Sequence, residues 1–390
     1  MFWPLMQNII TRQDKDRMIR FIEETDRFTN GERVIEFERA WSRWLEIDHS
    51  LFVSSGSTAN TLLLSAVKEL HGFKNGDKVL VPACTWSTNI SPVIQLGFEP
   101  IFCDINTYDF SFDTSALEKI SKEHQDIKIV FVTHLLGIPA DIIRYQEMFP
   151  KAVLLEDVCE SHGSTINGKK TGTFGEGSTF SFYWGHHMSS VEGGLVCTNN
   201  QDLYDIMRSK RSHGFAKELS RDKFEAIKKE YPDIDPSFLF TTDGYNFRNS
   251  EIYAVLALSQ LEKLDFNNEI RRNNFDYYLS ILSKYDCFEV PKKEGNCSFC
   301  FPFITKEKSH KDILIDLLKK REIEFRPIVG GNLLRQPFLK GYGDPTCFPN
   351  AELLHNNGFY IGNNHFVGQT ELSALYRIVE EAYRLFGGKL

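Results

Sequence analysis

A series of short apolar runs separated by helical patterns constrains the fold of this sequence most. The runs lie near residues 51–53, 78–82, 99–103, 128–134 and 152–156, and two more follow at 178–184 and 194–198. Apolar runs of this kind are typical of strands buried on both faces, and their alternation with helices indicates βαβ units. The sequence therefore predicts an α/β fold with a mostly parallel sheet flanked by helices.

The chain is long enough to form two lobes. Its 390 residues exceed what a single core usually organises. Amphipathic patterns at 12–26 and 34–45 predict an N-terminal helical arm, and residues 216–236 are expected to form a loop-rich excursion. A long helix is expected from residue 251, followed by strands near 298–304 and 323–326 and helices at 310–320 and 369–386. We expect a large domain over 1–250 and a smaller α+β domain over 251–390.

Charge and hydropathy exclude several classes of function. A net charge of −8 disfavours a nucleic-acid partner, which would need clustered Lys and Arg. No apolar run approaches the ~20 residues that cross a bilayer, and the first residues lack the pattern of a signal peptide. We therefore expect a cytoplasmic protein with no membrane partner. Cys297 and Cys300 form a lone CxxC pair, which favours a structural over a zinc-binding interpretation.

Polar side chains cluster where the predicted strands end, which is where open parallel sheets bind ligands. The small-residue turn at 55–57 precedes a helix, and such a turn suits a phosphate group. Trp86 follows the next run and could stack on a flat ligand or fill core. The remaining groups are Asp157, Glu160, Ser181 and the pair His186–His187.

Two interpretations of these groups stay open at the level of residue chemistry. A metal-dependent hydrolase could use Asp157, Glu160 and His186, with His162 and His187 as further candidate ligands. However, adjacent histidines on an extended segment point to opposite faces, and no HExxH motif is present. The second interpretation is an aromatic phosphate cofactor, which needs a helix N-terminus, an aromatic face, a carboxylate and an acid–base residue. The chain supplies these groups in the order of a doubly wound domain.

Over nearly its whole length, the chain resembles the sugar aminotransferases of pyridoxal-phosphate (PLP) fold type I, the DegT/DnrJ/EryC1/StrS type. The matching motifs are Ser55-Gly-Ser-Thr-Ala-Asn60, Pro82-Ala-Cys-Thr-Trp86, Glu156-Asp157, Ser181-Phe182, Glu192-Gly-Gly194, His213-Gly214 and Tyr245-Asn-Phe-Arg-Asn-Ser-Glu251. The resemblance implies the seven-stranded sheet of PLP fold type I, flanked by helices and followed by the smaller domain. It also implies a homodimer with shared active sites.

One position departs from the aminotransferase pattern. The family's Schiff-base lysine stands five residues after the serine of Ser181-Phe182, and here that residue is His186. An imidazole cannot form a Schiff base, so the cofactor cannot be held covalently in the usual way. The chain therefore resembles the 3-dehydratase branch, typified by the GDP-4-keto-6-deoxy-D-mannose 3-dehydratases of colitose biosynthesis. Glu160 and the segment 324–332 also resemble that branch, whereas the cysteine spacing does not reproduce the iron–sulfur pattern of a related CDP-sugar enzyme.

The resemblance implies a reaction as well as a fold. PLP would take an amino group from L-glutamate to become pyridoxamine phosphate. The C3 hydroxyl would then be removed from a nucleotide-linked 4-keto-6-deoxy sugar, with GDP favoured as the nucleotide. Ammonia and a 4-keto-3,6-dideoxy sugar for O-antigen or capsule polysaccharide would be released. The alternative within the family is a sugar-nucleotide aminotransferase-like protein without 3-dehydration.

The same resemblance assigns roles to residues. His186 would be catalytic, since a histidine with its ordinary pKa of about 6.5 suits both base and acid roles near neutrality. The implied cofactor contacts are Gly56, Ser57 and Ser181 at the phosphate, Asp157 at the ring nitrogen, Glu160 near the ring hydroxyl and Trp86 on the ring face. Asn246 would reach the phosphate from a partner subunit. His213, Arg248 and Arg326 are weaker candidates for substrate contacts, and His187 is expected to be structural.

Overall fold

The predicted alternation of strands and helices forms one seven-stranded sheet in the computed structural model, which describes residues 2–388. The strands are β1 His49–Val53, β2 Lys78–Pro82, β3 Glu99–Cys103, β4 Ile127–Thr133, β5 Val153–Asp157, β6 Thr165–Ile166, β7 Lys169–Lys170, β8 Gly177–Ser181, β9 Gly194–Thr198, β10 Cys300–Ile304, β11 Phe325–Arg326 and β12 Gly358–Gly362. The large sheet has the order β1-β9-β8-β5-β4-β2-β3. Only β9 runs against the others, since it pairs antiparallel with both β1 and β8. The mostly parallel sheet is therefore confirmed.

Both faces of this sheet are buried, which explains why its strands read as continuous apolar runs. In β4, Ile129 and Phe131 pack into one core cluster, whereas Val130 and Val132 pack into another on the opposite face. Because successive side chains of a strand alternate between faces, a strand covered on both sides needs apolar residues at every position.

Helices supply this cover. They are α1 Arg12–Glu24, α2 Glu32–Leu45, α3 Gly56–Leu70, α4 Ser87–Gln95, α5 Thr114–Glu123, α6 Ile142–Met148, α7 Gln201–Arg211, α8 Arg221–Glu230, α9 Glu251–Leu282, α10 Lys308–Lys320, α11 Pro349–Asn357 and α12 Gln369–Leu385. Of these, α3 packs on the β8 and β9 side of the sheet, and α2 packs against β1 and α9.

The expectation of a loop-rich excursion at 216–236 is wrong in part, because the segment contains the ten-residue helix α8. None of the residues of α8 is buried. Seven of its ten residues are charged, so its composition resembles that of a polar loop.

The C-terminal part of the chain forms a three-stranded antiparallel sheet in the order β10-β12-β11, accompanied by α10, α11 and α12. The sequence did not predict β12 or α11. The helix expected from residue 251 is α9, which runs without interruption for 32 residues. Phe275 and Tyr278 of α9 belong to the same core cluster as Val79 of the large sheet and Phe301 of the small one. The domain division at residue 250 stays a prediction.

The N-terminal segment returns to the small sheet. Trp3 is buried, and its indole Nε1 donates to the carbonyl of Gly362 at 3.2 Å. The backbone N–H of Leu5 donates to Glu324 at 2.8 Å. This anchoring places Met6 beside the ends of the large-sheet strands. Across residues 2–388, no helix combines the length and the apolar character needed to cross a membrane.

Candidate active site

A cavity of about 330 Å³ lies at the C-terminal ends of the parallel strands. Its lining contains eight of the residues singled out in the sequence, namely Gly56, Ser57, Trp86, Asp157, Glu160, Ser181, His186 and Arg326. Its volume is in the range of small-molecule sites. The expectation that strand ends bring these side chains together is confirmed except for His187, which does not line the cavity.

The first turn of α3 forms one wall of the cavity. Ser55 caps the helix by accepting from the N–H of Thr58, while the Thr58 hydroxyl accepts from the N–H of Ser55. Gly56 begins the helix in close contact with Ser181, because a Cβ at position 56 would lie 2.6 Å from the Ser181 Cβ. The unpaired N–H groups at a helix N-terminus attract anions, so this wall suits a phosphate.

The Asp157 carboxylate is fixed at the end of β5 by side-chain amides. Asn60 and Asn89 each donate to Oδ2 at 2.8 Å, and the N–H of Cys159 donates to Oδ1 at 2.9 Å. The Thr179 hydroxyl donates to the Asn60 oxygen at 2.6 Å, which orients that amide toward Asp157. Asp157 therefore presents a fixed acceptor to the cavity, as a partner for a protonated ring nitrogen must.

Glu160 lines the cavity beyond the end of β5. Burial raises the pKa of its carboxyl to about 7, and the nearby Asp157 adds to the rise. A hydrogen bond from the N–H of Leu136, at 2.9 Å, opposes this effect. Leu136 adopts a left-handed backbone conformation with φ of 55°. Near neutral pH the carboxyl is thus able to act as donor or acceptor.

His186 enters the cavity wall from the turn after β8. Edge-to-face contacts with Tyr183 and Phe299, each with ring centroids 6.0 Å apart, hold its imidazole. Burial lowers the pKa of His186 to about 4, so the ring is neutral at physiological pH. Its Nδ1 is buried and has no hydrogen-bond partner among the residues that the structure describes. The ordinary value of about 6.5 assumed from the sequence is therefore wrong for this site, because the ring is desolvated.

His187 lies outside the cavity, which agrees with the structural role predicted for it. It is fully buried, and its Nε2 donates to the carbonyl of Cys297 at 2.5 Å. The His162 ring lies nearly parallel to the rings of Phe180 and Phe182 and contacts both. Within the part of the chain that the structure describes, no three His, Cys, Asp or Glu side chains are grouped so that they could hold a metal ion. The residues of the metal-hydrolase alternative thus do not form a ligand set, and Cys297 and Cys300 are buried in apolar surroundings.

Trp86 lies at the rim of the cavity, where it precedes the first residue of α4. It is 55% exposed. This exposure excludes the core-filling interpretation and leaves the indole free to cover a flat ligand. Arg326, at the end of β11, lines the cavity from the small sheet.

Three predicted residues lie outside this cavity. His213, Asn246 and Arg248 are exposed and contact one another, since Arg248 donates to the Asn246 side-chain oxygen at 3.1 Å and lies 3.1 Å from the His213 Nε2. They do not line the cavity of their own chain. The resemblance places Asn246 in the partner's site, which agrees with this position but stays a prediction.

Several cavity residues were missed from the sequence. They are Met6, Tyr183, Phe299 and Tyr360, together with Asn89, which holds Asp157. Tyr183 is adjacent to the recognised Ser181-Phe182 motif, so its position was a usable signal. Met6 and Tyr360 come from elements distant in the sequence, and no local pattern indicates their approach.

Comparison with known proteins agrees with this geometry. Residues 10–379 match the model of the DegT/DnrJ/EryC1/StrS aminotransferase family. A GDP-4-keto-6-deoxy-D-mannose 3-dehydratase from Escherichia coli O55:H7 is 32% identical over 375 residues, which cover 93% of this chain and 96% of that protein. Its namesake from Yersinia pseudotuberculosis is 32% identical over 393 residues, covering 97% and 98% of the two chains.

A solved structure of a GDP-4-keto-6-deoxymannose-3-dehydratase, with a trapped PLP-glutamate geminal diamine, has the same fold. It is similar to this chain with a TM-score of 0.87 and 30% identity, covering 97% of this chain and 100% of that one. Both the sequence match and the fold extend over nearly the whole chain. The chain therefore belongs to the DegT/DnrJ/EryC1/StrS aminotransferase family.

Proposed function

We propose that this protein removes the C3 hydroxyl from a nucleotide-linked, GDP-type 4-keto-6-deoxy sugar and yields a 4-keto-3,6-dideoxy sugar. L-Glutamate supplies the amino group that PLP carries as pyridoxamine phosphate, and ammonia is released. The protein acts as a cytoplasmic homodimer that supplies dideoxysugar for O-antigen or capsule polysaccharide. The similarity to 3-dehydratases over nearly the whole chain supports this substrate class.

One observation carries the proposal: a neutral histidine occupies the cavity wall, and the described residues that line the cavity include no lysine. An aminotransferase of this fold needs a lysine amine that can form a Schiff base with its cofactor. His186 cannot form that bond, but it can accept and donate a proton. The wall is therefore equipped for proton transfer around a non-covalently held cofactor.

The residues present fit PLP. Ser181 and the α3 N-terminus at Gly56 and Ser57 would hold its phosphate, and the missing Cβ of Gly56 allows a close approach between these two elements. Asp157 would pair with the ring nitrogen, and Glu160 would lie near the ring hydroxyl. Trp86 would cover the ring face from the rim.

Each side chain then has a defined task. The cofactor, when bound, supplies an amino group for the C4 carbonyl of the sugar and an electron sink for the reaction. His186 is neutral at physiological pH, so it can take a proton at its unprotonated ring nitrogen and return it to the departing C3 hydroxyl. Asp157 keeps the ring nitrogen protonated through a charge-assisted hydrogen bond. Glu160, with a pKa of about 7, can donate to or accept from a hydroxyl nearby.

The direct test combines the purified protein, PLP, L-glutamate and a GDP-4-keto-6-deoxyhexose. We expect release of ammonia and a product that lacks the C3 hydroxyl, observed by mass spectrometry and NMR. A stable 4-amino sugar that keeps its C3 hydroxyl would instead establish the aminotransferase alternative. The matching CDP- and dTDP-sugars, assayed in parallel, decide the nucleotide.

A further inference from the structure

A second, much smaller cavity lies behind the His186 ring. Its volume is about 20 Å³, and its polar side chains are His186, Arg271, Asn363, Asn364 and the exposed Gln7. Apolar groups such as Phe299 and Trp184 line the rest. A polar cavity of this size accommodates a single water molecule when two to four polar partners are present.

Two of these partners are buried with incomplete hydrogen bonding. Nδ1 of His186 and Nε of Arg271 are both inaccessible, and neither has a hydrogen-bond partner within residues 2–388. Arg271 is 1% exposed, and its other bonds are long, at 3.4 Å to Asn268 and 3.3 Å to the carbonyl of His187. A buried guanidinium with unfilled donors is costly unless a further acceptor is supplied.

The two asparagines offer acceptors. The Asn363 amide nitrogen donates to the carbonyls of Arg271 and Ser298 at 3.0 and 2.9 Å, which fixes the amide and leaves its oxygen with one 3.4 Å contact from Asn274. The Asn364 oxygen accepts from the N–H of Phe366 at 2.9 Å and keeps a second lone pair. Both oxygens can therefore accept a hydrogen from a water in the cavity.

The hydrogen-bond count then favours one protonation state of the ring. A water molecule accepts two hydrogen bonds and donates two. Arg271 can only donate, and the two asparagine oxygens can take both water hydrogens. One lone pair of the water is left. Nδ1 of His186 is a buried lining atom that lacks a hydrogen-bond partner among the described residues, so an N–H at this position would fill it.

We propose that Arg271, Asn363 and Asn364 hold one ordered water that accepts a hydrogen bond from Nδ1–H of His186, so that Nε2 carries the free lone pair. This inference rests on the proposed function, in which His186 takes up a proton. These three residues are positioning residues, since they act through the water and the ring. A ring fixed in the opposite tautomer would present an N–H to the cavity and could not act first as a base.

The test is a measurement of histidine tautomers in the cofactor-free protein. Long-range ¹H–¹⁵N spectra of ¹⁵N-histidine-labelled protein distinguish a protonated from an unprotonated ring nitrogen. We expect His186 to carry its proton at Nδ1. His187 is an internal reference of opposite form, because its Nε2 faces the carbonyl of Cys297, which can only accept. The resonances of His186 are assigned by their loss in His186→Asn.

Arg271→Met removes the donors of the guanidinium, whereas Arg271→Lys keeps one. We expect the methionine variant to lose the Nδ1–H preference and to lower kcat about 10- to 100-fold with KM little changed, as losses of groups behind a reactive imidazole typically do. The lysine variant should regain part of the Nδ1–H preference and part of the kcat. If Arg271→Met does not fold, two measurements on the wild-type protein still test the proposal. One is the tautomer of His186. The other is a crystal structure that resolves water, in which the water must lie within hydrogen-bond distance of both Nδ1 and Arg271.

Wild-type protein with the proton of His186 at Nε2, or with an even mixture of tautomers, would overturn the inference, as would a crystal structure with no water in the cavity. The outcomes separate the two proposals. If the protein has the Nδ1–H tautomer but dehydrates no nucleotide sugar, the proposed function is wrong and the water-mediated positioning of His186 still holds. If the protein dehydrates the sugar but has the Nε2–H tautomer, the proposed function holds and the water-mediated positioning is wrong.

Discussion

His186 and Glu160 face the same cavity, and burial moves their pKa values in opposite directions. Desolvation disfavours the charged form of any group. It therefore lowers the pKa of the imidazole to about 4 and raises that of the carboxyl to about 7. Both side chains consequently favour their uncharged forms in mildly acidic solution. Because neither side chain is held in a charged form by a fixed ion pair, both can exchange protons with a ligand.

The raised pKa of Glu160 predicts a pH dependence of stability in the cofactor-free protein. The folded state keeps a proton that the unfolded state releases above about pH 4.5, so this group stabilises the fold at low pH, and that contribution is lost as the pH rises toward 7. Glu160→Gln removes the effect. We expect the variant to gain stability relative to wild type between pH 4.5 and 7 in urea unfolding. If the difference in unfolding free energy between the variant and wild type stayed constant from pH 4.5 to 7, the raised pKa of Glu160 would be contradicted.

His186 is also the residue whose replacement separates chemistry from binding. His186→Asn keeps a polar group of similar volume but cannot carry a proton, so we expect kcat to fall about 10²- to 10⁴-fold. PLP binding, followed by absorbance, should be largely retained. His187→Asn is the matched control, because that ring lies outside the cavity and its loss should lower stability more than kcat. Turnover near wild type in His186→Asn would remove this residue from the acid–base role.

At the level of elements, the cavity is built where α3 meets the ends of β5 and β8. The contact between Gly56 and Ser181 sets how close these elements come, and a Cβ at Gly56 would also lie 2.9 Å from the Cys159 Sγ. Two neighbouring residues of β5 make different contacts. Asp157 faces the cavity, whereas Glu156 accepts from backbone N–H groups at Gly172, Phe174 and Gly175 and holds the loop before β8.

Gly56→Ala tests the close packing of α3. We expect a loss of about 1–3 kcal/mol in the free energy of unfolding from overpacking, together with weaker PLP binding, because the helix must move away from Ser181. Gly368→Ala at the start of α12 is the control, since its Cβ would meet only the Glu371 side chain at 3.7 Å. Calorimetry and PLP titration measure both effects. Equal behaviour of the two variants would show that the wall tolerates a methyl group at position 56.

The sequence predicted those parts of the site that follow local rules. Asp157 ends a buried apolar run, and Gly56 begins a helix after a capping serine, so strand and helix patterns were sufficient to place them. The amides that fix Asp157, and the approach of Met6 and Tyr360, depend on contacts between distant segments. The depressed pKa of His186 depends on burial by Phe299 and its neighbours, and α8 has no buried face that a pattern could reveal.

At the scale of the whole molecule, His213, Asn246 and Arg248 form an exposed group at the surface. These side chains satisfy one another at the surface and do not contact the cavity of their own chain. The family resemblance assigns Asn246 to the phosphate of a partner's cofactor. If the active sites are shared in this way, each site contains His186 from one subunit and Asn246 from the other.

Subunit complementation tests this sharing. Asn246→Ala and His186→Asn should each have low activity alone. When equal amounts are mixed under conditions that exchange subunits, half of the dimers become mixed, and one of the two sites in each mixed dimer carries neither change. Activity should then recover to about a quarter of the wild-type level, since symmetric dimers reassort at random. If both residues served the same chain's site, every mixed dimer would still contain two damaged sites and no activity would return.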